Sequence, residues 1–459
     1  MLDTISHYIT GIADTMCGYP LFFTLIGGGL FLFIYSGMIS LRKLPHALRA
    51  IRAKQSAGNG EISSAQALAS VVAATVGMGN IAGVAIALVM GGPGAIFWMW
   101  VSAIVGMSTK FHEGVLAIKY RTVENGEPFG GPMHIIRNGL PARWRPMAAF
   151  FAVAGMFGTL CIMNANQLTE ATVSTIGSFT EISNPLMLKL VIGLIIASIV
   201  TLVVIGGVKR IASVASVLVP FMVGAYFLMV LFIILTHLPR VPDAVAAIFN
   251  EAFSLKAGWG ALAGVAIIGA RRAALVNDAG VGTASIMHGT SACKEPVREG
   301  LVAMLGPAID SGFVCTLTAI AILLCGDISA TEGGIKGLTV AMDAFGAAIP
   351  GGRYLLMVIV TCFAMSSMFS YSFYGRRCAR YLFGTKGEKV YVWFFILTLV
   401  IFAVISLDAA VGLCDLFYAF MAFPTMLTLI LLRRKVKEET ESYFAHEQTP
   451  VAEEQQLAN

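Results

Sequence analysis

Two glycine-punctuated stretches place polar groups inside otherwise apolar runs: AATVGMGNIAG at 73–83 and VNDAGVGTAS at 276–285. Thr75 and Asn80 fall in the first, Asn277 and Asp278 in the second. An unpaired polar group in hydrocarbon is expensive, so such groups face a cavity or a partner. A helix interrupted there exposes N–H groups on one side of the break and carbonyls on the other. Glycine lets a ligand approach that backbone closely. The chemistry on offer is therefore solvation of a small polar solute within the membrane. The rival reading is that the glycines only permit close helix packing, as small residues do at membrane helix interfaces. The four polar residues clustered at the breaks weigh against it.

Other chemistry is not signalled. No His, Cys or carboxylate cluster has metal-site spacing, and no nucleophile–base motif stands out. The eight cysteines include no CxxC, lie mostly in apolar runs and are expected to be free thiols. His112 and His288 read as structural, and Lys110 and Glu113 as an (i, i+3) pair at the end of a helix.

The elements that carry these residues follow from composition. The chain is 57% hydrophobic and only 12% charged, with a net charge of +5 and a mean hydropathy of +0.80. A soluble domain would be about a quarter charged, so a cytosolic enzyme, a disordered chain and a nucleic-acid binder are excluded. The composition predicts an all-α polytopic membrane protein. Eleven apolar runs are expected to span, near 20–41, 65–90, 93–118, 146–178, 186–207, 212–237, 258–286, 299–325, 353–383, 390–407 and 411–432. The Gly-rich stretch 327–350 is too polar to span and predicts a loop with a short helix resting on the protein. With eleven spans, 24 of the 31 Lys and Arg collect on one side, which the positive-inside bias makes cytoplasmic. The N-terminus is then outside and the C-terminus inside. Residues 1–20 lack Lys and Arg, which makes a poor signal peptide, and their spaced apolar residues suit a short surface helix.

Four segments result: 1–60, a peripheral span and basic loop; 61–237, the first five-span half; 238–433, an outer loop and the second half; and 434–459, a polar, acidic tail expected to be disordered. Five is odd, so the second half must enter the membrane inverted. Each half opens with one of the interrupted helices, the pattern of a secondary transporter with its site near the midplane.

Three blocks carry a family resemblance: GEISSAQALASVVAATVGMGNIAG and its continuation to 121, ARRAALVNDAGVGTASIMHGT and its continuation to 310, and FAMSSMFSYSFYGRRCARYLFG at 363–384. Over roughly 60–430 the chain resembles the alanine/glycine:cation symporters, sodium–amino-acid carriers of the amino acid–polyamine–cation superfamily. The resemblance implies a five-plus-five inverted repeat like that of the leucine transporter, with one extra leading helix. It also implies an amino-acid substrate, whose carboxylate needs donors and whose ammonium needs acceptors. The N–H groups around Gly77, Met78 and Gly79 are assigned to the carboxylate, and carbonyls from Leu275 to Ala279, Asn277 and Asp278 among them, to the ammonium. Thr75 and Asn80 line the same region, and Asn80 has a second, compatible role as a helix cap. Resemblance to a hydroxyl pair in the leucine-transporter fold places sodium at Ser366 and Ser367 with the carbonyls of Ala73, Val76 and Phe363. The alternative there is that both serines bond back to their own helix.

Departures from the family pattern matter. Met78 and Ser367 stand where Thr is usual, Asn164 where Gln is usual, Tyr371 where Trp is usual, and Thr425 where Asn is usual. Leu275–Val276–Asn277–Asp278 replaces Phe-Ser-Asn-Glu. Alanine or glycine specificity therefore does not carry over, and a larger or differently shaped amino acid is compatible. Arg271 is additional to the family's single Arg, matched by Arg272. Two guanidiniums in a span need partners or water. Asp278, Glu170 and Asp310 are the expected partners, and an acidic substrate is the alternative. Rival functions are a proton-coupled carrier on the same fold, a channel and a membrane enzyme. The oligomeric state is open, and the first span could hold a lipid or a subunit contact.

Overall fold

The computed structural model describes residues 19–52, 61–124, 126–253, 259–326 and 337–457. The surface helix expected within residues 1–18 lies outside them. Almost everything described is helix: α1 Tyr19–Tyr35, α2 Leu44–Arg52, α3 Ser64–Thr75, α4 Gly79–Gly91, α5 Gly94–Lys119, α6 Pro132–Gly139, α7 Arg145–Gly158, α8 Ile162–Gly177, α9 Pro185–Val204, α10 Gly207–Thr236, α11 Val241–Ala252, α12 Trp259–Asn277, α13 Thr283–His288, α14 Pro296–Cys325, α15 Gly337–Ala348, α16 Gly352–Phe402, α17 Leu407–Leu431 and α18 Arg433–Leu457. Among the described residues a short antiparallel hairpin, β1 Thr122–Glu124 with β2 Glu127–Phe129, interrupts the helices, with Gly126 at φ 81°.

Among the described residues, seven helices are long and apolar enough to cross a membrane, and the bent pair α3–α4 makes an eighth span. The 51 residues of α16 are two helices that meet at a kink, where Gly384 leaves helical geometry (φ 67°, ψ −162°), between the runs expected at 353–383 and 390–407. The outer faces of α9 and α10 present exposed Leu202, Val217, Phe221 and Leu228, as a lipid-facing surface would. The inner faces close a continuous core, in which the Tyr226 ring meets those of both Phe345 and Phe363.

Residues 337–348 form the short helix expected in the Gly-rich stretch, packed through buried Leu338, Met342 and Phe345. The tail differs from its expectation: α18 is helical from Arg433 to Leu457. Composition misleads here because opposite charges recur at helical spacing, in the pairs Lys435–Glu438 and Lys437–Glu441. Val436 is buried, and Glu439 reaches Lys119 on α5, so the helix has a docked face.

Candidate functional site

α3 starts on a capping box: the Ser63 side chain accepts from Gln66 N, and the Gln66 side chain accepts from Ser63 N. It stops at Val76, where φ −72° and ψ 87° leave helical geometry. α4 resumes at Gly79 with a 56° bend. The Asn80 side chain ties the break together: its Oδ1 accepts from Gly77 N at 2.9 Å, and its Nδ2 donates to the Asp310 carboxylate on α14. Asn80 thus caps across the break rather than standing free, and it occupies one of the N–H groups assigned to a substrate carboxylate. Thr75 is buried, and its hydroxyl donates to Val71 O at 3.2 Å.

The second break is sharper. After α12 the chain passes through Asp278 (φ 52°), Gly280 (φ 87°) and Gly282 (φ 94°) before α13 begins. Left-handed backbone is cheap for glycine and occasional for Asp. Asn277 steadies the turn, accepting from Ala279 N at 3.0 Å and donating to Ser311 Oγ at 3.2 Å. Asp278 Oδ2 accepts from Tyr371 and, at 3.1 Å, from Thr283, while its Oδ1 is buried with no hydrogen-bond partner. Tyr418 donates to the Tyr371 hydroxyl at 2.8 Å.

The two breaks adjoin. A Cβ on Gly79 would lie 3.2 Å from Val276 Cγ2, and one on Gly77 would lie 2.6 Å from Ser367 Oγ. Ser366 Oγ sits 3.0 Å from the Ala73 carbonyl and 2.9 Å from that of Phe363; Ser367 Oγ sits 3.3 Å and 3.1 Å from the same two. Bonding back to their own helix explains the Phe363 contacts but not those to Ala73, which cross to α3. Four neutral oxygens therefore converge where α3 ends. This donor set suits a small hard cation, and Val76 lies one turn away at the helix end.

Several assigned residues are buried at this centre: Met78, Asn80, Asn277, Asp278, Ala279, Ser366, Ser367 and Tyr371. Leu275 is half-buried on the last turn of α12. Asn164 is half-buried on α8, and among the described residues no hydrogen bond joins its side chain to either break. Its neighbour Asn166 instead donates to the Phe402 and Ile405 carbonyls at 3.3 Å and 2.7 Å.

Two expectations are corrected. Arg271 pairs with none of the three expected carboxylates; its Nη2 donates to Asp415 on α17 at 3.0 Å. Glu170 is taken by Lys189, Asp310 accepts from Asn80 and Asp278 from Tyr371. Arg272 beside it is half-buried. Lys110 and Glu113 are fully buried within α5 and form no ion pair with each other. Glu113 Oε1 accepts from Gly280 N at 2.7 Å, while Lys110 Nζ has no hydrogen-bond partner. His288 is buried, with its Nδ1 2.5 Å from Glu299 Oε1, and the other Glu299 oxygen accepts from Ser291 at 2.9 Å and from Ser64. Glu113, Asp310, Thr283 and Tyr418 had no place in the site read from the sequence. A carboxylate in mid-run, as at 113 and 310, is the signal that could have found two of them.

Comparisons with known proteins place the chain in a family and a fold. The model of the sodium:alanine symporter family matches residues 2–457. The chain is 38% identical over 453 residues to an uncharacterized transporter of Haemophilus influenzae, covering 96% of each chain. It is 37% identical over 430 residues to the sodium/alanine symporter AgcS of Methanococcus maripaludis, covering 91% of this chain and 93% of that one. The crystal structure of MhsT in complex with L-phenylalanine superposes with a TM-score of 0.54 at 13% identity, over 80% of this chain and 88% of that one, and shows a shared leucine-transporter-like fold. The chain belongs to the sodium:alanine symporter family, a family of multi-pass membrane transporters and not of enzymes.

Proposed function

We propose that this member of the sodium:alanine symporter family carries a small zwitterionic amino acid across the plasma membrane together with sodium, by alternating access around the two adjoining breaks. The full reading has eleven crossings in a five-plus-five inverted repeat after one leading helix, with the N-terminus outside and the C-terminus in the cytoplasm. The observation that carries it is the contact of Gly79 with Val276, which sets one helix break against the other beside an unpartnered carboxylate oxygen of Asp278.

In this reading the substrate carboxylate meets N–H groups at Met78 and Gly79, and also Gly77 when Asn80 turns aside. The ammonium meets carbonyls from Leu275 to Ala279 and Asp278 Oδ1. Sodium takes the oxygens of Ala73, Phe363, Ser366 and Ser367, with Val76 completing the shell. Ion binding then orders the end of α3, so the first substrate-binding N–H groups are preorganised and the two cargoes bind cooperatively. Arg271 is satisfied by Asp415, which removes the motive for an acidic substrate side chain. Met78, Leu275 and Asn164 would set the substrate's size. Opening toward the basic end requires release of ion pairs that hold α16: Arg377 to Glu61 at 3.0 Å and Arg380 to Glu127 at 2.9 Å.

A second reading has one supporting observation. Glu113, Asp278 and Asp310 each keep a buried oxygen without a hydrogen-bond partner, as a proton-coupled carrier would need. The test is uptake into liposomes reconstituted with the purified protein, across all standard amino acids and both enantiomers. Saturable uptake that requires a sodium gradient supports symport. Equal uptake in sodium-free buffer under a proton gradient moves the reading to proton coupling, and non-saturating flux moves it to a channel.

A further inference from the structure

After α1 the backbone turns sharply, with Gly37 at φ 65° and Met38 at φ 57°. The chain then leaves the apolar direction through a short helical turn, Ile39–Arg42, and the amphipathic α2, which buries Ala47 and exposes Leu48. An amphipathic helix that follows an apolar one at a sharp turn belongs at a membrane–water boundary. The C-terminal helix α18 returns to the same corner. Between α1, α18 and the end of α5 lies a cavity of about 380 Å³ floored by Phe111 and His112.

Its charge is one-sided. Arg42, Lys43, Arg433 and Lys437 border it, against the single carboxylate of Glu441, which sits 3.8 Å from Lys437. Three of the four cations rest on aromatic faces. Lys43 Nζ is 3.6 Å from the Phe444 ring centre, and the Arg433 guanidinium is 5.6 Å and 5.5 Å from Phe31 and Tyr35. Lys437 is 5.9 Å from Tyr35. A ring face attracts a cation but does not neutralise it, so these positive charges stay available to an anion. Beside the cavity, α1 and the turn after it expose an apolar ridge, with Ile34 61% and Met38 48% accessible. A bound anion with an apolar extension would cover both surfaces, whereas a free ion would cover only one.

We propose that this cavity binds the headgroup of an anionic phospholipid, its phosphate against Arg433, Lys437, Arg42 and Lys43 and its acyl chains along Ile34 and Met38. Free phosphate shares the headgroup's chemistry but gains nothing from the ridge. The site rests on geometry separate from the transport reading, and either can fail without the other.

The test uses the full-length purified protein in neutral detergent, with bound lipid counted by native mass spectrometry and melting followed with phosphatidylglycerol, phosphatidylcholine or inorganic phosphate added. The expected result is selective retention of phosphatidylglycerol. R433Q/K437Q is expected to weaken it about thirtyfold, the scale for losing two basic residues near an anionic membrane surface. R434Q/K435Q removes the same charge from the exposed side of α18 and is expected to bind as the parent does. Equal losses in the two doubles would reduce the effect to diffuse surface charge and overturn the site. Stabilisation by inorganic phosphate equal to that by the lipid would make it an ion site and overturn the lipid assignment. No preference for phosphatidylglycerol in the parent protein overturns it outright. Should R433Q/K437Q fail to fold, K43Q supplies the same comparison from the opposite wall.

Discussion

Glu113 reaches from the C-terminal third of α5 to hold the second break, its Oε1 accepting from Gly280 N at 2.7 Å. Gly280 has φ 87°, so its N–H is not satisfied by ordinary helical bonding. Removing the acceptor would leave a buried donor unpaired, at a cost of about 1–3 kcal/mol. E113A is therefore expected to lower transport about tenfold or more, while E113Q, which keeps a carbonyl acceptor, retains most of it. Initial uptake rates at matched protein levels check this, and an E113Q as impaired as E113A would shift the role from the hydrogen bond to the charge.

Ser367 contributes one of the four oxygens that converge between α3 and α16 where α3 ends. S367A is expected to raise the sodium concentration for half-maximal uptake about fivefold, the scale of one lost neutral oxygen contact. The ranking of amino acids should hold. A sodium titration identical to the parent's would count against the ion site.

The breaks were legible in the sequence because glycines and polar side chains stand out against an apolar run, whereas the Ser366–Ser367 pair drew attention only through the family resemblance and the neighbouring break. What long-range packing decides was not. Arg271 meets Asp415 across 144 residues of chain, and no local spacing encodes that pairing. Lys110 and Glu113 have the spacing of an exposed helical ion pair, but α5 is buried on nearly every side from Gly106 to Ile118, so each turns to a different environment. The tail has the composition of a disordered segment, and its helix depends on docking contacts such as Lys119–Glu439.

Gly77 faces Ser367 so closely that a methyl group there would come 2.6 Å from Oγ but 3.7 Å from Cβ. The clash is therefore with the hydroxyl alone. G77A is expected to abolish sodium-dependent substrate binding without loss of folded protein. G77A/S367A should recover part of the substrate binding, because its nearest remaining contact is ordinary van der Waals distance, yet keep the weakened sodium response of S367A. Binding isotherms at low and high sodium separate the two effects. No recovery in the double variant would mean that the glycine serves backbone conformation and not clearance.

Arg271 and Asp415 form a cross-helix pair, 3.0 Å apart and both largely buried. Removing one partner leaves the other charge in an apolar surround, which costs more than the pair itself contributes. R271A and D415N are each expected to reduce transport without changing which amino acids are carried, since the pair lies a turn and a half before the Asn277 break and holds α12 against α17. The double variant R271A/D415N should lose less than the two single losses combined, by about 1 kcal/mol or more in coupling. A double-mutant cycle on kcat/KM measures this directly. Strict additivity would show that the two residues act independently, and a changed substrate ranking in R271A alone would return the guanidinium to the substrate.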